Sequence, residues 1–242
     1  MTRRLGEVAA FVAAALISGV VRAADESAWQ FDVTPYLWAA GIDGDVTVDR
    51  REVEVDTSFG DIADNLDGGG SVLLEASKGR WVNWMQIDHI ATDTGSVTVG
   101  PARADLESRT TMFGVGTGRR FDGFGERSTV DVLVGVRRFR IDDTLDLRGA
   151  GHVHNHLDVH DAIAILRPRY ALSARWSFSP TLSVGGGDSE LVWEMSPQFE
   201  YRAGERYEVR IGYRNLDYEV DEGRNGIDIS FRGPLLGIGL KF

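Results

Sequence analysis

The chain holds four of its five histidines in one short segment, HVHNHLDVH, at residues 152–160. His152, His154 and His156 share one parity with Asp158, so on a β-strand their side chains would leave the same face. Imidazoles two residues apart on such a face can share a divalent cation, and Zn²⁺ or Ni²⁺ suits a nitrogen site of this kind. The alternative is a solvated extracellular loop whose histidines bind no metal.

Mostly polar or charged positions alternate with apolar positions along several segments. In residues 190–202, ELVWEMSPQFEYR, one parity carries Trp193 and Phe199, and the other carries Glu194 and Glu200. Unpaired buried charge is costly, so we predict an internal network of ion pairs, and the alternative is a lining that passes small polar solutes. The predicted members of this lumen network are Glu75, Asp88, Arg167, Arg169, Arg175, Glu194, Glu200, Arg202, Glu208, Arg210 and Arg214.

No motif has the spacing of a catalytic or phosphate-binding site. The glycine runs at 68–71 and 185–188 lack the helix that a phosphate loop requires, and no spacing singles out a Ser, His and acid triad. The absence of cysteine excludes thiolate metal sites and cysteine nucleophiles, and the net charge of −11 excludes general nucleic-acid binding. We therefore predict a non-enzymatic protein without a cofactor. The alternatives are a lipid-modifying enzyme and an adhesive or surface-binding barrel.

Strands must position these side chains. The alternating runs reach about 10 residues or more, which is the length a tilted strand needs to cross a bilayer. A membrane protein without spanning helices must be a closed barrel, because open sheet edges cannot lie in lipid. We predict an all-β fold, an antiparallel transmembrane β-barrel with strands at 29–40, 70–78, 81–92, 106–121, 128–142, 160–175, 178–187, 189–203, 206–220 and 226–242.

The count of ten strands has two alternatives. A hairpin within 45–57 or the loss of the weak strand 178–187 would change it to twelve or eight. The connections alternate between tight turns, as at residues 78–80, and long polar segments at 41–70, 93–106 and 143–160. This is the layout of outer-membrane barrels, with short periplasmic turns and long extracellular loops. Aromatic residues expected at the membrane interfaces are Trp29, Trp38, Trp81, Phe121, Trp176, Tyr201 and Tyr207.

The first 23 residues resemble an export signal. Arg3 and Arg4 precede an apolar run from Val8 to Val21, and Ala23 ends a Val-Arg-Ala sequence of the kind that signal peptidase reads. The run is shorter than the ~18–20 apolar residues that span a bilayer. We predict a cleaved signal peptide at 1–23 and an outer-membrane barrel domain at 24–242.

The last strand changes its apolar phase at Gly233-Pro234, where we expect a β-bulge, since proline cannot donate to the ladder. Its end, GIGLKF, resembles the terminal signal of bacterial outer-membrane barrels. This resemblance implies that Phe242 faces lipid and is read by the barrel-assembly machinery, with periplasmic chaperones and outer-membrane lipid as further partners.

The chain also resembles a family of proteobacterial outer-membrane β-barrel proteins along most of its length. The shared features are a TPYLW-type first strand at Thr34 to Trp38, a Gly-x-x-Gly turn at Gly41 to Gly44, a GRW strand start at Gly79 and a GYR strand at Gly212. The resemblance implies the fold and a Gram-negative outer-membrane location, and it carries no catalytic residues. We predict a structural barrel or a narrow, porin-like passive channel for small solutes.

The metal hypothesis depends on the strand phase. Continuing the phase back from Arg167 and Arg169 places odd positions inward, whereas the histidines are even. A bulge or turn near Asp161 would reset the phase and bring His152, His154 and His156 together on the lumen side. Without such a reset, these histidines point outward and a metal site is not expected.

Overall fold

The computed structural model describes residues 28–48, 51–99, 102–123, 125, 127–147, 151–221 and 226–242. The signal peptide and its cleavage site lie outside these residues. The described chain is almost entirely β-structure, with one short helix, α1 (Phe59–Asp64). No helix in this part of the chain is long and apolar enough to cross a membrane.

The strands follow one another with few long connections. They are β1 (Gln30–Trp38), β2 (Gly41–Val48), β3 (Arg51–Thr57), β4 (Leu66–Lys78), β5 (Trp81–Val99), β6 (Ala102–Asp122), β7 (Thr129–Leu147), β8 (Gly151–Ala171), β9 (Trp176–Phe178), β10 (Thr181–Gly187), β11 (Leu191–Ser196), β12 (Gln198–Arg202), β13 (Tyr207–Asp221) and β14 (Gly226–Lys241).

The sheet closes into a barrel because β1 pairs with β4 on one side and with β14 on the other. The wall has ten antiparallel positions, which we call staves: β1, β4, β5, β6, β7, β8, β9 with β10, β11 with β12, β13 and β14. The predicted antiparallel barrel of ten strands is confirmed. The hairpin suspected within 45–57 also exists, as β2 and β3, but it extends the wall along β14 without adding a stave.

Prolines interrupt two of the staves. The break between β9 and β10 contains Pro180, and the break between β11 and β12 is Pro197. Proline removes a backbone donor, so the ladder loses a hydrogen bond there. The pairing register of the neighbouring strands continues across both breaks, as with Phe199↔Phe178 and Thr181↔Ser196. Each pair of short strands therefore acts as one stave.

Tight turns join the staves at one end of the barrel, which we call the short-turn end. Gly79 lies in the two-residue turn between β4 and β5 with φ +55°, a left-handed conformation that glycine adopts without steric cost. A girdle of exposed aromatic side chains surrounds this end. It consists of Trp29, Phe31, Trp81, Phe121, Tyr170, Trp176, Tyr207 and Phe242.

The outer surface next to this girdle is an apolar band. The side chains of alternate residues in each stave point outward from the barrel. In this band the outward side chains are aliphatic or aromatic, although they are exposed. A soluble protein buries such residues, whereas a bilayer solvates them. The band includes Leu37, Val115, Val132, Val134, Val136, Leu166, Leu182, Val184, Met195, Phe199, Ile211, Leu236 and Ile238.

The opposite end carries long β-hairpins where polar loops were expected. The segments predicted as loops at 93–106 and 143–160 are mostly strand, because β5 pairs with β6 up to Val99↔Ala102 and β7 pairs with β8 up to Leu147↔Gly151. At ~3.3 Å per residue, the 21 residues of β8 are about twice as long as a membrane-spanning strand. Beyond the apolar band the outward positions of these extensions become polar, as at His154 and His156, while Val159 faces inward.

The bulge expected at Gly233-Pro234 is absent. β14 pairs with β13 in one register from Tyr207↔Leu240 to Asp221↔Gly226. Ile229 and Phe231 are buried inside the barrel, whereas Leu236 and Ile238 face outward. The apparent phase switch therefore reflects a change along β14. Before Gly233 the apolar side chains face the lumen, and after Pro234 the outward-facing side chains are apolar. Pro234 lies in the regular ladder, where its carbonyl accepts a hydrogen bond from Ala39 N at 2.9 Å.

Candidate functional site

A cluster of aromatic side chains, which we call the plug, lies across the lumen on the long-hairpin side of the barrel. Phe139 of β7 stacks on Tyr218 of β13 with ring centroids 4.4 Å apart, and it meets Phe231 of β14 edge-on at 5.6 Å. β7 and β13 lie nearly opposite each other in the ten-stave wall, so these contacts cross the lumen. Trp38, expected at the membrane interface, is instead buried in the plug, 6.3 Å from the Phe231 ring.

A cavity of about 770 Å³ lies on the short-turn side of the plug. Its mouth is lined by Trp29, Arg206 and Phe242, and Glu194 and Arg214 line it near the plug. Trp84 also projects into it, next to Gly114, where a Cβ atom would lie only 2.5 Å from the indole. The cavity therefore extends from the charged residues beneath the plug to the short-turn end.

Arg214 organises the charged layer directly beneath the plug. Its Nη1 donates to Asp88 Oδ2 at 2.9 Å, and its Nε donates to Glu194 Oε1 at 3.1 Å. Arg137 Nη2 donates to the same Glu194 at 2.5 Å, and the Tyr36 hydroxyl donates to Asp88. The Arg214 guanidinium also lies 4.3 Å from the centroid of the Trp38 ring, which joins this layer to the plug.

A second charged layer lies closer to the mouth and is centred on Arg210. The Arg210 guanidinium lies 3.2 Å from Glu75, 3.3 Å from Asp32 and 3.3 Å from Glu208. Arg167 of the opposite wall bridges Glu75 and Asp131. These contacts link five staves, β1, β4, β7, β8 and β13, and each buried charge has a partner of opposite sign, without which its burial would be costly.

Three further cations complete this layer. Arg120 makes a bidentate pair with Asp131 at 2.7 and 2.9 Å. Arg169 Nη2 and Lys241 Nζ both bind Glu208 Oε2, at 2.8 and 2.6 Å. Arg169 Nη2 also lies 2.7 Å from Glu200 Oε2, at an angle that does not make a hydrogen bond.

Nine of the eleven residues predicted for the lumen network lie in these two layers. Arg175 and Arg202 do not, since both are exposed at the short-turn end, where Arg175 Nη1 donates to the Tyr201 hydroxyl at 3.3 Å. Sequence reasoning omitted five charged members, although Asp32, Asp131 and Arg137 lie on the polar parity of their strands and were detectable. The omitted members are Asp32, Arg120, Asp131, Arg137 and Lys241.

The histidine-rich segment lies on the outer face of the long hairpin formed by β7 and β8. The register between these strands runs without a shift from Thr129↔Arg169 to Leu147↔Gly151, so no turn near Asp161 resets the phase. His154 and His156 are exposed, whereas the odd residues Val159 and Asp161 are buried inside. The hypothesis that the histidines face the lumen is wrong, and the side chain of His152 lies outside the described residues.

The outward histidines have polar neighbours of their own. His154 Nδ1 lies 3.1 Å from Thr144 Oγ1, and His156 Nδ1 lies 2.8 Å from Asp142 Oδ1. Hydrogen bonds from Arg140, and then from His156, lower the pKa of Asp142, which lies beyond the apolar band, to about 2. No group of three or more potential metal ligands forms among the described residues.

We expect that zinc will not bind this segment saturably. His154 and His156 are exposed, no three potential ligands form a group among the described residues, and His156 already contacts Asp142. Isothermal titration of the refolded protein should therefore give the same heat for the wild type and for His154→Ala. A saturable heat in the wild type that disappears in the variant would establish a metal site at His152, His154 and His156.

Comparison with known proteins gives structural likenesses only. No family model and no curated protein matches the sequence. Among solved structures, the outer membrane protease OmpT from Escherichia coli aligns over 92% of this chain and 99% of its own, with a TM-score of 0.47 and 10% identity. The translocator domain of the autotransporter NalP from Neisseria meningitidis aligns over 98% and 95%, with a TM-score of 0.44 and 12% identity.

A third likeness is to Ail, the attachment invasion locus protein of Yersinia pestis. It aligns over 88% of this chain and 98% of its own, with a TM-score of 0.35 and 8% identity. At such identities, the alignments transfer no functional residue to this chain.

Proposed function

We propose that this protein is exported with loss of residues 1–23 and forms a closed, non-enzymatic structural barrel in a Gram-negative outer membrane. The apolar band and the aromatic girdle support the membrane location, because they match a bilayer and its interface. The first-strand TPYLW motif and the terminal GIGLKF support the same location through their family resemblance. The short-turn end then faces the periplasm, and the long hairpins face outward.

The observation that carries the structural role is the plug. Phe139, Tyr218 and Phe231 contact one another across the lumen, and each is almost completely buried. A barrel of about ten staves has an interior largely filled by side chains. Here apolar rings fill one half of the lumen, and paired charges cross the other half. This arrangement supports a barrel whose resting state passes no solute.

The passive channel is the second candidate, and the cavity favours it. A pocket of about 770 Å³ already occupies the short-turn half of the lumen, so movement of the plug alone would open a path. Opening such a channel would require Phe139 and Tyr218 to move apart and lose their stacking contact. The two candidates therefore differ in the state of the plug.

Conductance of refolded protein in planar bilayers distinguishes the two candidates. We expect no ohmic current from the wild type at moderate voltage, because the plug interrupts the water path between the cavity and the long-hairpin side. The control is a refolded 16-stranded porin in the same bilayer, which must conduct. A steady ohmic current from the wild type would replace the closed barrel with the channel.

The C-terminal residue gives a test of assembly. Phe242 is half exposed at the short-turn end, and its backbone exchanges hydrogen bonds with Phe31 at 2.9 and 3.2 Å. Deleting Phe242 removes the aromatic group that we propose the assembly machinery reads. We expect several-fold less heat-modifiable barrel in the outer-membrane fraction, whereas Phe242→Tyr should keep the amount near the wild-type amount. An unchanged yield after deletion would exclude this role.

A further inference from the structure

The cavity presents charges of opposite sign at different depths. Among the cations, the side chains of Arg120, Arg169 and Lys241 are each about one third exposed. Their carboxylate partners Asp131, Glu200 and Glu208 are all almost completely buried. Glu205 and Arg206 line the mouth together, and deeper in the cavity a solute meets the partly exposed Arg169 and Lys241, whose carboxylate partners are buried, although the protein as a whole carries a charge of −11.

Two of these cations lie side by side. Arg169 Nη2 and Lys241 Nζ bind the same oxygen, Glu208 Oε2, so both nitrogens are within hydrogen-bond distance of one point. A guanidinium has five N–H donors and an ammonium has three, and the described carboxylate contacts of Arg169 all involve Nη2. Both groups can accordingly donate to a second acceptor that approaches from the mouth.

The surroundings favour an anion with oxygen acceptors. Arg120 adds a third accessible positive charge on the far wall of the cavity, and Arg206 lines the mouth. Low-dielectric walls strengthen the field of such groups in a cleft. Oxygen atoms of a carboxylate or a phosphate make short, strong hydrogen bonds with arginine and lysine.

We propose that the short-turn end of the cavity binds a small soluble oxyanion, a carboxylate or a phosphate, through Arg169 and Lys241. The buried Glu208 competes with the anion for the same donors and limits its affinity. The site does not depend on the proposed closed state of the barrel, because its residues lie beneath the plug. A failure of the conductance test would leave this binding test intact.

Isothermal titration of refolded protein in detergent with inorganic phosphate, and separately with acetate, tests the site. We expect saturable heat in the wild type with at least one of the two anions, and the arms show which oxyanion is preferred. Lys241→Gln should weaken binding about tenfold, as expected for the loss of one charged hydrogen bond. Glycerol, which carries no charge, should give no saturable heat.

Two variants control for general effects of charge. Arg138→Gln removes a cation from the outer face, and binding should stay at the wild-type level. Glu208→Gln removes the internal competitor, so anion binding should become tighter, which is the opposite sign to Lys241→Gln. Heat-modifiable migration checks that each variant is folded, and Lys241→Gln decides the question alone if Glu208→Gln does not fold. Absence of saturable heat for both anions in the wild type, or equal binding in the wild type and Lys241→Gln, would overturn the site.

Discussion

Arg210→Met should destabilise the barrel by about 3–5 kcal/mol, the cost of removing one partner from a buried ion pair. The Arg210 guanidinium is buried and contacts Asp32, Glu75 and Glu208 within 3.3 Å. Methionine fills a similar volume without charge, so these carboxylates lose a shared counter-charge. Urea unfolding of protein refolded into lipid vesicles measures the loss.

The matched control is Arg138→Met on the outer face. Arg138 pairs with Asp158 through two hydrogen bonds of 2.7 and 2.6 Å, but both side chains are partly exposed. Exposed pairs contribute about 0–1 kcal/mol, so the same substitution should change stability little here. Equal losses at the two positions would show that burial in the lumen does not determine the strength of these pairs.

Replacing Phe139 and Phe231 together by alanine should open the lumen. Both rings are 1% exposed and form the plug with Tyr218, so their loss leaves a path above the cavity. We expect a small ohmic conductance in planar bilayers where the wild type shows none. The double variant should also lose stability, since each Phe→Ala change in a packed core costs about 3–5 kcal/mol.

Phe199→Ala is the control for this variant. Phe199 has the same side chain but faces outward in the apolar band, where it is half exposed. The Phe199→Ala variant should show no ohmic conductance in the bilayer, as we expect for the wild type. If the folded double variant also shows no conductance, the charged layer of Arg214, Asp88 and Glu194 is sufficient to block the lumen in the absence of the two phenylalanine rings.

Alternation along single strands determined most of the wall. In a strand, the side chains of every second residue point to the same face. The residues of a membrane barrel that face lipid can therefore be identified from the sequence as alternating apolar positions. This local rule placed Val132, Val134 and Val136 outward and Glu194, Glu200 and Glu208 inward. It also predicted ten staves, because tight turns and long polar segments separate the alternating runs.

The tertiary structure alone decided what fills the lumen. Arg214 and Asp88 are 126 residues apart in the sequence, and they meet because barrel closure brings β13 and β5 to opposite walls at the same height. The plug was missed for a related reason. Near the plug the inner face of β14 is also apolar, so in the sequence Phe231 resembles a lipid-facing residue. Its parity is opposite to that of Leu236 and Ile238, and this change of parity was interpreted as a bulge.

The histidine segment shows the same division between local and long-range information. Parity alone indicated that even positions face outward, and the unbroken register of β7 with β8 decided that no reset occurs before His156. The number and polarity of the strands are thus local properties of this chain. The identity of the groups that meet across the lumen depends on closure and register, which involve residues far apart in the sequence.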